Sequence, residues 1–334
     1  MIVFPDFLTR EQAEGVPSPR KTSHTNCKGK VLGMKIDVVV VGGGPAGLSA
    51  ALILGRCRRQ VLLCDDDQPR NRASRAIHGL LGHEGLPPSA FLEEARQELT
   101  RYKSVSFRGT RVTDITPAED GFAFDCADGT GGVASKVLLA TGIVDDLPDI
   151  AGVGDLYGVS VHHCLYCDGF EYVGKPVAAL GKGDKGADLA VMMKHWIADV
   201  VACSDGTEVS GDAARKLKQH GIPLRSEPVV ALEGTRGLLT KIKFKSGPDL
   251  ERSGLFFSTG CHQASDLSLR LGCVRDEKGG VITDPATEET SVPGVYVAGD
   301  VSRDVLLVSI AIAEGAKAAV AINKAFLRRD GFCD

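Results

Sequence analysis

The chain has 334 residues, 43% of them hydrophobic and 25% charged, with a formal net charge of −4 and a pI near 6.1. That length and composition fit two ordinary domains or one large one and exclude a globally disordered chain. The mildly acidic balance gives no general drive toward nucleic acid or an anionic membrane, and ten cysteines are too sparse for a disulfide scaffold.

Residues 1–33 are mixed and polar (EGVPSPRKTSHTNCKGK) and lack the continuous apolar segment of a secretory signal. They are expected to be a flexible extension, with Met34 as an alternative start. The apolar stretch from Val31 to Gly55 is interrupted by Lys35, Asp37 and GGGP at 42–45, which excludes a transmembrane helix.

From Lys35 the pattern sharpens. KIDVVVV predicts a buried parallel strand, GGGPAG a turn, LSAALILGRCRR a helix and VLLCDDD a second strand. Together they form a βαβ unit. The run 137–142 (VLLATG) predicts another buried strand ending in a small-residue turn. HHCLYCDGFEY follows at 162–172. PVAALG, GKGDKG, ADLAVMMKHW and DVVACSDG then repeat strand, turn, helix and strand. The two glycine turns begin at Gly42 and Gly181, so the unit occurs twice about 139 residues apart, as a two-domain duplication rather than a short-period repeat. GVYVAGD at 294–300 predicts a strand and turn, and SIAIAEGAKAAVAINKAFL a helix rich in small residues.

Gly42, Gly44 and Gly47 form G-x-G-x-x-G between strand and helix. The first glycine makes the turn, the second admits a pyrophosphate, and the third lets helix pack on strand. Asp65, with Asp66 beside it, lies roughly 20 residues on, where an acid can hold the adenosine ribose. Gly181, Gly183 and Gly186 repeat the spacing, with Asp205 at the end of the following strand. A 2′-phosphate would call for arginines there, and none occurs before Arg215. NADPH preference is therefore unsupported, leaving NADH, a weak site or no nicotinamide.

Cys164 and Cys167 form the CxxC pair. Two dinucleotide units suggest FAD in one and NAD(P) in the other, and beside them a dithiol completes an electron chain. A zinc site needs four ligands; His162 and His163 could supply one beside the two thiolates, but no second CxxC or spaced His pair follows. A redox dithiol is the favoured reading over zinc or inert thiols, with a depressed cysteine pKa. Asp168, directly after Cys167, can trade a proton with a thiolate or a flavin; the alternative is a turn residue before Gly169. Cys57, Cys64, Cys126, Cys203 and Cys273 are read as small buried hydrophobes, and Met192, Met193 and Trp196 as core. His78 and His83 lie in the loop HGLLGHEG, where a surface role is the commoner alternative to a flavin contact. A reducing cytoplasm fits this cysteine usage.

From about Lys35 onward the chain resembles the low-molecular-weight thioredoxin reductase family, through VVVVGGGPAG, LLATG, CxxC-D-G, GKGDKG and YVAGD in that order. Within it, DDQPRN, HGLLGHEGLPP and the CLYC segment ahead of KPVAALGKG are similar to the reductase-like dithiol oxidases and disulfide oxidoreductases of bacterial and fungal thiol metabolism. The resemblance implies an α/β fold of two Rossmann-like dinucleotide-binding domains. A discontinuous FAD domain (34–145 and 261–334) would enclose an inserted NAD(P)-type domain (146–260) carrying the CxxC. Gly42, Gly43, Gly44, Pro45, Ala46 and Gly47 would bind the FAD pyrophosphate, and Asp65 the ribose. Asn71 and His78 would lie along the FAD, Thr141 and Gly142 at the first domain crossing, and Gly299 and Asp300 at the ribityl chain and phosphate. Gly181, Gly183 and Gly186 would serve a nicotinamide nucleotide. Cys167 would face the flavin, Cys164 would attack the partner disulfide, and Asp168 would be the acid/base. A homodimer and a rotation between domains are also implied.

Three features depart from thioredoxin reductases or mix subgroups. Ser204–Gly206 lacks their NADPH arginines. Leu307, Val308 and Ser309 stand where they carry Arg-Gln-Ala. Asp168 matches them, where the dithiol oxidases often carry His. The expected activity is FAD-dependent thiol–disulfide oxidoreduction with a thioredoxin-like protein or a small dithiol as partner. The alternatives are an oxygen-dependent dithiol oxidase, a flavin–disulfide protein with a non-nicotinamide donor and, from another class, a flavin-bearing redox sensor. The CxxC and Asp168 argue against a monooxygenase.

Overall fold

The computed structural model describes residues 36–302 and 305–332. The expected extension over residues 1–33, Met34 and Lys35 lie outside them. β1 (Ile36–Val41), α1 (Pro45–Arg56) and β2 (Val61–Asp65) make the first βαβ unit. α2 (Pro88–Leu99) returns the chain to β3 (Val105–Gly109). β4 (Val112–Ala118), β5 (Gly121–Cys126) and the longer β6 (Gly131–Leu139) form an antiparallel meander. The sheet runs β3-β2-β1-β6-β5-β4. Val38, Val39 and Val40 are fully buried, as expected of β-branched residues in a central strand covered on both faces.

β7 (Ile143–Asp145) leaves this sheet. α3 (Val153–Leu156), β8 (Val161–His162) and α4 (Leu165–Asp168) follow, the last carrying the second cysteine. β9 (Val177–Leu180), α5 (Asp184–Met193), β10 (Val200–Cys203), α6 (Gly211–Gln219) and β11 (Leu224–Arg225) build the second βαβ region. β12 (Val229–Thr235), β13 (Leu238–Phe244) and β14 (Leu250–Glu251) form an antiparallel flap before β15 (Gly254–Phe257). The second sheet is parallel throughout, in the order β11-β10-β9-β15-β8.

β16 (Cys261–Gln263) pairs antiparallel with β7, so the chain's outward and return crossings form one ribbon. α7 (Leu267–Arg270), β17 (Val295–Val297) and α8 (Val308–Arg329) complete the chain. β17 joins the first sheet beside the C-terminal half of β6, whose N-terminal half pairs with β5. The first sheet is thus discontinuous in sequence and the second is inserted into it. Small residues let α8 pack directly on α1: a Cβ on Gly315 would sit 2.1 Å from the Ala46 carbonyl oxygen.

Three expectations are corrected. α5 ends at Met193 rather than reaching Trp196. Met193 is fully buried one turn after Ala190, but Met192 points about 100° away and is 46% exposed. Trp196 is half-buried, edge-on to the exposed Tyr166. Cys57 is exposed because it follows the end of α1, whereas Cys64, Cys126, Cys203 and Cys273 are buried.

Candidate active site

The first glycine turn is defined by close approaches. Gly42 has φ +104°, and a Cβ there would lie 2.3 Å from the Ala140 carbonyl oxygen. A Cβ on Gly43 would meet the Asp65 carboxylate at 2.6 Å. Gly44 differs: nothing lies within 4 Å of its Cβ position, and it is the N-cap of α1 without a side-chain cap. The unpaired amides of the first helical turn therefore face open space, the arrangement that receives a phosphate.

That space is a cavity of about 880 Å³, lined by Gly42, Gly43, Gly44, Pro45 and Ala46 from the turn and Asp65 from the next strand. Asn71, His78, Thr141, Gly142, Gly299 and Asp300 line it as well. So do Cys164, Cys167 and Asp168, which brings the cysteines to the same cavity as the glycine turn. Gly47 does not line it. A Cβ there would lie 1.9 Å from the Gly42 carbonyl oxygen, so this glycine serves packing of helix on turn. Leu306, Leu307 and Val308 close the side where the reductase motif is replaced.

Cys164 and Cys167 are joined by a disulfide, with Cα atoms 5.3 Å apart. Cys164 is the N-cap of α4, and its Sγ accepts the Cys167 backbone N–H at 3.1 Å. Asp168 ends the same turn, with one carboxylate oxygen 3.3 Å from His162 Nδ1. His78 Nδ1 bonds Glu84 at 2.6 Å, and its Nε2 lies 3.7 Å from Glu171. Burial works against protonation of His78, but the bond and charge of Glu84 and the charge of Glu171 raise its pKa overall.

A charged frame that the motifs did not reveal supports this cavity. Arg70 grips Asp145 through two nitrogens, at 2.6 and 2.9 Å, and reaches Asp300 at 2.9 Å. Burial alone would push the Asp145 carboxyl up, but Arg70 holds it below the ordinary range. Burial pushes the Asp300 carboxyl up despite Arg70. Tyr157 Oη donates to Asp145 at 3.0 Å and lies 3.0 Å from His163 Nδ1. Burial lowers the His163 pKa to about 4, against the pull of Asp145. Asp65 is paired at 2.8 Å with Arg96, which also holds Asp67. Arg70 lies in DDQPRN, His163 in HHCLYCDGFEY and Asp300 in YVAGD, but none of these stretches names its partners.

The second glycine turn is more closed. Gly181 lines a pocket of about 320 Å³ with Lys182, Lys185 and Asp205, but Gly183 and Gly186 do not. The Gly183 N–H donates to Thr207 Oγ1 at 2.6 Å. A Cβ on Gly186 would lie 2.7 Å from the Cys203 carbonyl oxygen. Asp205 accepts the Val229 N–H at 2.9 Å. Arg215 is exposed and paired with Asp212. Among the described residues, no group of three or more His, Cys, Asp or Glu side chains could hold a metal ion. No helix among them is long and apolar enough to cross a membrane.

Residues 36–315 match the pyridine nucleotide-disulphide oxidoreductase family. The chain belongs to that family. A probable thioredoxin reductase of Arthroderma benhamiae is 33% identical over 302 residues, covering 81% of this chain and 75% of that protein. The thioredoxin reductase sirT of Leptosphaeria maculans is 31% identical over 86% of this chain and 93% of its own. Among solved structures, the putative thioredoxin reductase TrxB of Bacillus anthracis matches with a TM-score of 0.84 and 33% identity, covering 88% of this chain and 99% of that one. The protein is an oxidoreductase with the two-domain fold of the low-molecular-weight thioredoxin reductases, a family whose cofactors are FAD and a pyridine nucleotide. The first cavity fits FAD. The open Gly44 leaves room in front of the α1 amides for a pyrophosphate, Asp65 stands at the end of the next strand, and the cavity volume lies in the upper range of ligand pockets, roughly 300–1,000 Å³.

Proposed function

We propose that this oxidoreductase couples a bound FAD to thiol–disulfide exchange at Cys164–Cys167. The observation that carries the reading is the shared cavity: the open glycine turn, the disulfide and Asp168 line one space. FAD, when bound, exchanges an electron pair with the cysteines. Cys167 is proposed as the flavin-facing sulfur, Cys164 as the sulfur that meets the substrate, and Asp168 as the group that moves the proton. Gly42 to Ala46, Asp65, Asn71, His78, Thr141, Gly142, Gly299 and Asp300 are proposed to bind the FAD. In the reductase direction a pyridine nucleotide at Gly181 supplies the electrons, and a disulfide, of a thioredoxin-like protein or a small molecule, leaves as two thiols. NADH is the better candidate, because Asp205 and no arginine lines the second pocket. A homodimer in a reducing compartment belongs to the same reading.

A second reading reverses the flow: a small dithiol reduces the cysteine pair, and oxygen takes the electrons from the flavin. It is favoured by the closure of the second turn, where Thr207 occupies the Gly183 N–H and Asp205 is committed to Val229. Two assays separate the readings. Nicotinamide-driven reduction of a small aromatic disulfide identifies a reductase, and oxygen uptake driven by a small dithiol identifies an oxidase. Inactivity in both contradicts the proposal.

A further inference from the structure

We infer that His162 is the positioning residue of Asp168, holding its carboxylate from the side away from the cavity; this rests on the role proposed above for Asp168. His162 ends β8, is 4% exposed and does not line the cavity, so any part it plays is through a neighbour. Its ring is fixed by aromatics, tilted on Phe256 with centroids 5.3 Å apart and edge-on to Tyr172 at 5.5 Å. Each ring nitrogen has a polar neighbour. Nε2 lies 3.0 Å from Tyr172 Oη, and Nδ1 lies 3.3 Å from Asp168 Oδ1.

Tyr172 decides which nitrogen carries the proton. Burial, then the charges of Asp168 and Glu171, push its hydroxyl up to about 12, so it remains a donor near neutrality. It lies within reach of His162 Nε2 and, at 3.3 Å, of the Val159 carbonyl oxygen. When Tyr172 donates to Nε2, the imidazole proton sits on Nδ1, the nitrogen 3.3 Å from Asp168 Oδ1. In that arrangement Asp168 Oδ1 faces a donor. Such a partner behind an acid/base fixes its orientation. The other titratable groups that act on this carboxylate are His78 and His163, with Glu84 and Glu171 acting through His78.

The step it serves balances as follows. One substrate thiol loses its proton to solvent and attacks Cys164 Sγ; the Cys164–Cys167 bond breaks, and the electron pair leaves on Cys167. The second substrate thiol gives its proton to Asp168 and attacks the mixed disulfide at the substrate sulfur. Cys164 leaves and takes that proton from Asp168. The substrate is oxidised to a disulfide and the cysteine pair reduced.

The test is anaerobic stopped-flow bleaching of the flavin band by dithiothreitol across about pH 5–9, on FAD-loaded protein. His162→Leu is expected to bleach about tenfold more slowly than wild type, with the acid limb of the profile moved toward higher pH, because the carboxylate has lost a donor. His162→Asn, which keeps an N–H near the Nδ1 position, is expected to restore most of the rate and the limb. Tyr172→Phe, which keeps the ring and loses the hydroxyl, is expected to move the limb in the same direction but less. A His162→Leu profile that superimposes on wild type overturns the inference. So does a uniform rate loss that follows melting temperature, is shared by the Asn variant and leaves the limb in place. Wild-type protein that dithiothreitol fails to bleach at any pH contradicts the flavin–disulfide reading itself and removes the basis of the inference. If His162→Leu does not fold, the Asn and Phe variants decide, and Tyr172→Phe with an unmoved limb counts against it.

Discussion

The two glycine turns have the same spacing and different surroundings. At the first, Gly44 faces open space, the α1 amides lack a cap, and the cavity reaches the disulfide. At the second, Thr207 has taken the Gly183 amide, Asp205 is turned to Val229, and the pocket has little more than a third of the volume. Three glycines thus specify how a strand turns into a helix. Whether that turn holds a phosphate is decided by what stands in front of the second glycine, and those residues lie elsewhere in the chain.

The largest expected effect breaks the first turn. Gly44→Val places a branched side chain in the open space before α1 and should weaken FAD binding about a hundredfold or more while the fold survives. Flavin fluorescence titration of apoprotein, with far-ultraviolet circular dichroism as the fold control, measures this. Unchanged affinity would remove the distinction drawn between the turns. A smaller effect in the opposite sense is expected at the second turn. Thr207→Ala releases the Gly183 N–H and should strengthen NADH binding severalfold, on the order of 1 kcal/mol for one freed hydrogen bond. Calorimetric titration with NADH and NADPH reads it, and an unchanged or weaker affinity would mean that Thr207 is not what closes the site.

The turns also differ in how their cavities are supported, which gives a pH test. Arg70, Asp145, Asp300, Tyr157 and His163 frame the first, whereas the contacts closing the second involve backbone amides. His163 has a folded pKa lowered to about 4 by burial, against an ordinary value of 6.5. The unfolded chain therefore binds this proton first, and the stability from keeping the ring neutral is present above pH 6.5 and lost as pH falls toward 4. Urea midpoints measured from pH 7 down to about 4.5 should fall more steeply for wild type than for His163→Gln, and parallel curves would contradict this assignment. His78 has the opposite sign. Its raised pKa gives a contribution present below its ordinary pKa and lost as pH rises through the folded value. The ring is partly exposed and its partners lie near the surface, so the effect should stay under about 1 kcal/mol. His78→Gln should flatten the shallow stability loss that wild type shows as pH rises above the ordinary histidine range.

The alternation of buried strand, glycine turn and helix was legible at both units because β-branched runs and glycine punctuation are local signals. The antiparallel β4–β6 and β12–β14 layers carry short, half-buried strands with weaker patterns, and nothing in the motifs marked them. Cys57 and Met192 were misread because an apolar neighbourhood in sequence does not say which face a residue takes at a helix end. Gly47 and Gly186 show that a motif glycine can serve packing alone, and Gly183 that it can serve a turn at φ +60°. The charged frame was illegible for another reason: Arg70, Asp145, Tyr157, His163 and Asp300 come from separate segments, and only the fold makes them neighbours. His162 was visible in HHCLYC, but its pairing with Asp168 depends on the turn of α4.

The most direct test of the central claim is anaerobic addition of a small dithiol to FAD-loaded wild-type protein and to Cys164→Ser, following the flavin band. The account predicts that wild type bleaches, as an electron pair passes from substrate through the cysteines to the flavin, while Cys164→Ser keeps its FAD and stays oxidised. Bleaching in both proteins, or in neither while the wild-type disulfide is reduced, would show that Cys164–Cys167 does not carry electrons to the flavin.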